Sequence, residues 1–96
     1  MKKGYWIATY HSVSDPEALA KYAALAAKVI EAHGGRFLAR GIPQRVFEAA
    51  DVERCVVVEF DSVGAAVSAY ESDAYQEALS ILKGAVVRGV RIVEGV

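Results

Sequence analysis

Residues 54–60, "RCVVVEF", are apolar at odd and even positions alike until Glu59. Successive side chains on a strand point to opposite faces, so such a strand must be covered on both sides and belongs in the middle of a sheet. Residues 4–11, "GYWIATYH", repeat the pattern with aromatic and β-branched residues. Trp6, Ala8 and Tyr10 fall on one face, and Tyr5, Ile7 and Thr9 on the other. Two strands with no polar face, in a chain of only 96 residues, leave little choice of architecture: one domain over residues 1–96, and more apolar sheet surface than one short chain can cover.

Between these strands, "SVSDPEALAKY" supplies a helix start, with Asp15 as N-cap and Pro16 at the first helical position, where its missing N–H costs nothing, and Ser14 with Glu17 as an alternative capping-box frame. Leu19, Tyr22, Ala26, Ile30 and His33 recur at spacings of three and four and form one apolar stripe, and Gly34 or Gly35 ends the helix. A strand over residues 36–40 follows. Its alternation puts Phe37 and Ala39 on the buried face and Arg36, Leu38 and Arg40 on the other. Gly41 to Gln44 break the regularity, and "RVFEA" at 45–49, carrying Glu48, reads as renewed extended chain after a bulge or bent turn.

After residue 60 two helix starts occur, at Asp61 or Ser62 and again at Ser72 or Asp73, with Tyr75, Leu79 and Leu82 as the second stripe and Lys83 and Gly84 at the end. "VVRGVRIVEGV" closes the chain as a strand in which Val90, Ile92 and Glu94 alternate with Arg91 and Val93, and Gly89 marks a possible bend. The order is β-α-β-β-α-β, a ferredoxin-like α+β fold with a four-stranded antiparallel sheet and helices on one face. The uncovered face then requires a partner, and a second copy of the chain packed sheet against sheet is the expected one.

Eleven basic and twelve acidic residues give a net charge of −1, and neither sign forms a block, which argues against nucleic acid or an anionic membrane as partner. No segment approaches the ~20 apolar residues of a membrane span, and the amino-terminal "MKK" precedes no signal-like stretch, so a cytoplasmic setting is expected. The single Cys55 lies in an apolar run and reads as an inert, packed thiol. His11 reads as a loop residue and His33 as a helix C-terminal residue favoured by the dipole. With no His-x-His, cysteine pair or carboxylate cluster at ligand spacing, neither a metal nor a cofactor is expected. "HGGRFLARG" is no phosphate loop, because its glycines follow a helix instead of opening one.

The candidate site is the uncovered sheet face. With Phe37 turned to the helices, Arg36 and Arg40 look into the space between two sheets, where Glu48 or Glu59 approaches them and Tyr5 supplies a hydrogen-bonding wall. A carboxylate in such a desolvated space is a candidate base, and an arginine beside it a candidate anchor for a small organic anion or aromatic acid. For these residues alone, an ion pair that serves only the interface of a non-catalytic dimer is the more ordinary reading.

The runs "GYWIA", "DPEALAKY", "HGGRFLARG", "VVVEFDS" and "YESDAYQEAL", with the Ser-x-x-Tyr-Gln restart at Ser72, Tyr75 and Gln76, resemble the domain of unknown function 1330 family, within the dimeric α/β barrel superfamily. The resemblance spans nearly the whole chain. It implies a dimer whose two sheets face each other around a cavity. Relatives by fold include cofactor-free monooxygenases, muconolactone isomerases and haem-handling proteins, and the family itself has no settled reaction from which a catalytic residue could be carried over.

Overall fold

In the computed structural model, which describes residues 1–96, the aromatic and β-branched run at the start of the chain becomes β1 (Gly4–Val13), paired on both edges. The helix α1 (Pro16–Ala32) begins where Asp15 accepts a hydrogen bond from the Ala18 amide at 3.2 Å, with Pro16 in its first turn. It ends at His33, whose ring Nδ1 lies 2.8 Å from the Val29 carbonyl, and Gly34 turns the chain with φ +86°. Gly35 is required for a different reason: a Cβ there would stand 2.5 Å from Ile30 Cγ2 and 2.9 Å from Phe60 Cζ, so only glycine lets the chain enter the sheet so close to the core.

The strands β2 (Arg36–Gly41) and β3 (Cys55–Phe60) pair antiparallel. The helices α2 (Val63–Glu71) and α3 (Asp73–Leu79) are separate, as the two start signals require. Ser62 caps the first by accepting from the Ala65 amide, and Ser72 the second by accepting from the Tyr75 amide. A single 3-10 turn over Ser80–Leu82 leads to β4 (Val86–Glu94). The sheet order is β2-β3-β1-β4, which places the two doubly apolar strands in the centre. This is the ferredoxin-like α+β fold, four antiparallel strands with the helices on one face.

Trp6, Ala8 and Tyr10 from β1 and Val56, Val58 and Phe60 from β3 point to the helices and are buried there with Tyr22, Ala26, Ile30, Ala66, Ala69, Tyr75, Ala78 and Leu82. The ring of Trp6 lies edge-on to Tyr75 at 5.0 Å and stacks near Phe60 at 6.1 Å. Tyr5, Ile7, Thr9, Cys55, Val57 and Glu59 form the opposite, uncovered face. Cys55 is therefore half-buried on the open face and not packed in the helix-side core.

Three local readings change. "RVFEA" forms no strand: residues 36–41 already pair with β3 from Cys55 to Glu59, so residues 45–49 find no partner strand. They belong instead to a long loop, residues 42–54, in which the Ala50 amide closes a turn onto the Phe47 carbonyl and Glu48 takes the left-handed conformation at φ 57°. Gly89 makes no bend, and the irregularity in that pair of strands lies in β1, between Tyr10 and Ser12. His11 sits at that irregularity, inside β1 and not beyond it, with Nδ1 2.6 Å from Asp51 Oδ2, which ties the long loop to the central strand.

Candidate functional site

A one-residue bulge in β2 decides which charged groups meet. Phe37 stands opposite Val58, but Ala39, not Leu38, stands opposite Val57, and Arg40 is opposite Val56. Val56 and Val58 face the helices, so Phe37 and Arg40 lie on the helix side while Arg36 and Ala39 lie on the open side. The expected sharing of one face by Arg36 and Arg40 fails for this reason. The guanidinium of Arg40 covers the Phe37 ring, 4.4 Å from its centroid.

On the open face the structure brings together Tyr5, Arg36 and Glu59. The Tyr5 hydroxyl donates to Glu59 Oε2 at 2.9 Å, and Arg36 donates to Glu59 Oε1 from Nε at 3.1 Å and from Nη2 at 3.0 Å. Arg36 Nη2 also reaches Asp61 Oδ1 at 3.2 Å, where Lys3 donates at the same distance. Asp61 and Lys3 were not anticipated. They follow from the β3–α2 junction and from the residue before β1, which the Gly4–Phe60 pairing places side by side. The Tyr5 hydroxyl, then Arg36, hold the Glu59 carboxyl below the usual carboxylate range; Lys3, then Arg36, do the same for Asp61. The hydrogen bond to Glu59 raises the Tyr5 phenol in turn. A carboxylate stabilised in its ionised form by two donors is a good acceptor of hydrogen bonds and a weak base.

Glu48 is not part of this cluster. It lies in the loop that joins the far ends of β2 and β3, whereas Glu59 lies one residue from the other end of β3. A larger hollow on the open face, about 410 Å3, lies at that far end, between loop residues such as Arg45 and Ala49 and the strand residues Thr9, Cys55 and Arg91.

On the helix side, a small cavity of about 30 Å3 lies between α1 and the sheet. Arg88 of β4 reaches it, standing opposite Tyr10. Its Nη2 donates to the Tyr75 hydroxyl at 2.9 Å and its Nη1 to the Tyr10 hydroxyl at 3.2 Å, and the Tyr75 and Tyr22 hydroxyls are hydrogen-bonded to each other. Its guanidinium also lies over the Tyr22 ring, 5.1 Å from the centroid. Burial pushes the Tyr22 and Tyr75 phenols up, so both stay protonated. Arg88 was not among the expected site residues, although it occupies an inward position in a strand whose other inward residues include Val90 and Ile92. No group of three His, Cys, Asp or Glu side chains lies close enough to hold a metal ion, and no helix is long and apolar enough to cross a membrane.

Comparison with known proteins agrees with this architecture. The family described as "Domain of unknown function (DUF1330)" matches residues 3–96. Among curated proteins, none matches the sequence significantly. Among solved structures, the RPA0582 protein of unknown function from Rhodopseudomonas palustris superposes with a TM-score of 0.76 at 19% identity, covering 99% of this chain and 83% of that one. A dimeric ferredoxin-like protein of unknown function from Thermobifida fusca gives 0.67 at 15% identity, covering 97% and 91%. SnoaB, a cofactor-independent oxygenase from Streptomyces nogalater, gives 0.63 at 12% identity, covering 97% and 92%.

Proposed function

The chain belongs to the DUF1330 family, and from that premise we propose that it acts as a homodimer, joined through the open sheet face, that binds a small organic molecule between its two sheets. The observation that carries this reading is the uncovered face itself. Ile7, Val57 and Val93 lie on it with no layer of helices above them, and Val93 is 47% exposed. An apolar sheet face of this kind is stabilised by an identical face across a two-fold axis. The neighbour from Thermobifida fusca, described as a dimeric ferredoxin-like protein, supports dimerisation.

In that dimer the Tyr5–Glu59–Arg36 cluster stands at the margin of the shared chamber. Tyr5 and Arg36 are its candidate ligand donors and Glu59 its acceptor. The depressed Glu59 favours binding over proton abstraction, because a base for a weakly acidic carbon needs a pKa closer to neutrality. Oxidation by dioxygen without a cofactor, the activity named for SnoaB, is the reaction to assay first; a non-catalytic binding or assembly dimer is the alternative that the satisfied charges of Glu59 and Asp61 favour.

Sedimentation velocity at micromolar concentration tests the foundation. The wild type sediments as a dimer and Val57→Asp as a folded monomer, since the substitution puts a charge into the centre of an apolar interface. A wild-type monomer at that concentration overturns the proposal.

A further inference from the structure

Three arginines, Arg40, Arg54 and Arg88, line the helix-side cavity, and no Asp or Glu is among its lining residues. None of the three forms an ion pair: the carboxylates that do so in this chain are Asp51, Glu59 and Asp61, and their partners are His11, Arg36 and Lys3. Arg54 Nε is fully buried and has no hydrogen-bond partner at all. Arg88 has only neutral phenols around it, and Arg40 has the face of Phe37. A fold that gathers three guanidiniums without a counter-charge leaves their mutual repulsion and one orphaned donor uncompensated.

From this convergence we infer that each protomer holds a second site, distinct from the inter-sheet chamber, which binds the carboxylate of a small aromatic or unsaturated acid on Arg54 and Arg88. The chemistry of the lining selects this class. A guanidinium fork matches a planar carboxylate with two parallel hydrogen bonds. The free room of about 30 Å3 accepts a carboxyl group and little more. The remainder of the ligand therefore lies at the mouth, where the Phe37 ring and the exposed Arg40 offer a flat surface for a planar body. The other walls, from Trp6, Leu19, Ala23 and Ala26, are apolar and offer the carboxylate no competing charge. Tyr22, whose phenol stays protonated, lines the cavity and brings no negative charge to it. The site is built inside one protomer, so it does not depend on the dimer.

The test uses benzoate as probe, with benzamide as its neutral counterpart and inorganic phosphate as a compact oxyanion. Trp6, the only tryptophan, lines the cavity and reports occupancy by its fluorescence; thermal shift gives a second reading. Benzoate saturates the wild type, benzamide binds at least about tenfold more weakly, and Arg54→Gln weakens benzoate at least about tenfold. Arg88→Met abolishes binding, and Arg40→Gln weakens it several-fold, in proteins that sediment like the wild type. Because Arg88 anchors buried hydroxyls, its loss risks the fold. Arg54 donates to no protein acceptor, so Arg54→Gln decides alone if Arg88→Met unfolds. Unchanged benzoate affinity in Arg54→Gln, equal binding of benzamide, or tighter binding of phosphate than of benzoate overturns the inference. Failure of the wild type to dimerise leaves every one of these readings intact and sinks only the inter-sheet proposal.

Discussion

Replacing Tyr75 by Phe isolates the buried hydroxyl cluster from the packing around it. The Tyr75 ring is fully buried, edge-on to Trp6 at 5.0 Å and to Tyr22 at 6.1 Å. Phe preserves that geometry, so only hydrogen bonds are lost. Two go: the one from Arg88 Nη2, at 2.9 Å, and the one shared with the Tyr22 hydroxyl. A bond from a charged donor is worth about 1.5–3 kcal/mol and a neutral one about 1 kcal/mol. Removing the buried hydroxyl itself returns part of this, and Arg88 keeps Tyr10 through Nη1, so the net loss is about 2–3 kcal/mol. For a domain of this size each kcal/mol lowers Tm by about 4–8 °C, which predicts a fall on the order of 10–20 °C. Tyr22→Phe removes only the neutral bond, since Tyr75 retains Arg88, and costs about 1 kcal/mol. Urea unfolding followed by circular dichroism, at fixed protein concentration to hold any dimer contribution constant, gives both values. If Tyr75→Phe loses less than about 0.5 kcal/mol, or Tyr22→Phe loses as much as Tyr75→Phe, Arg88 does not hold the cluster and the assignment of its donors is wrong.

Two further predictions concern the helix junction and acid. Ser72→Ala removes the cap of α3 and the bond from Ser72 Oγ to the Ala69 carbonyl at 2.8 Å; a loss of about 1 kcal/mol, read as a Tm lower by about 4–8 °C, is expected. Glu59 and Asp61 have folded-state values below their ordinary ones. Their contribution to stability is thus fully present above the unfolded values near 4 and is lost as pH falls through the folded ones. A Glu59→Gln, Asp61→Asn variant has a flatter stability profile than the wild type below about pH 5, and identical profiles would mean that Tyr5, Lys3 and Arg36 do not stabilise the charged carboxylates.

Most of the fold was legible because local and global signals agree in this chain. Asp15, Ser62 and Ser72 each cap the helix that their position announces, and the doubly apolar strands occupy the centre of the sheet. The approach of Tyr5, Arg36 and Glu59 was also legible, since all three lie where simple alternation puts them. What alternation could not supply was the place where it slips. One unpaired residue in β2 carries Arg40 through the sheet to the helix side, and nothing in "RFLARG" distinguishes that from an unbroken strand, because Leu38 and Ala39 suit either face. Edge strands are where such bulges occur most often, and β2 is an edge.

The inward position of Arg88 is written in the parity of its strand. Val90 and Ile92 fix the inward parity of β4, and the same parity carried two residues back reaches Arg88, opposite the buried Tyr10. A cation on the core side of a strand requires something to receive its donors. Tyr10 on β1 and Tyr75 on the second helical stripe receive two of them, and Tyr22 on the first stripe bonds to the Tyr75 hydroxyl in turn, which explains why these aromatic positions end in hydroxyls where Phe would pack equally well. They satisfy hydrogen bonds but supply no charge. The bulge that brings Arg40 to the same side, and the strand start that brings Arg54 there, add two more cations to that side with the same need. The chain has twelve acidic residues and places none at this cavity, so the missing counter-charge is a property of the arrangement and the reason an external carboxylate fits it.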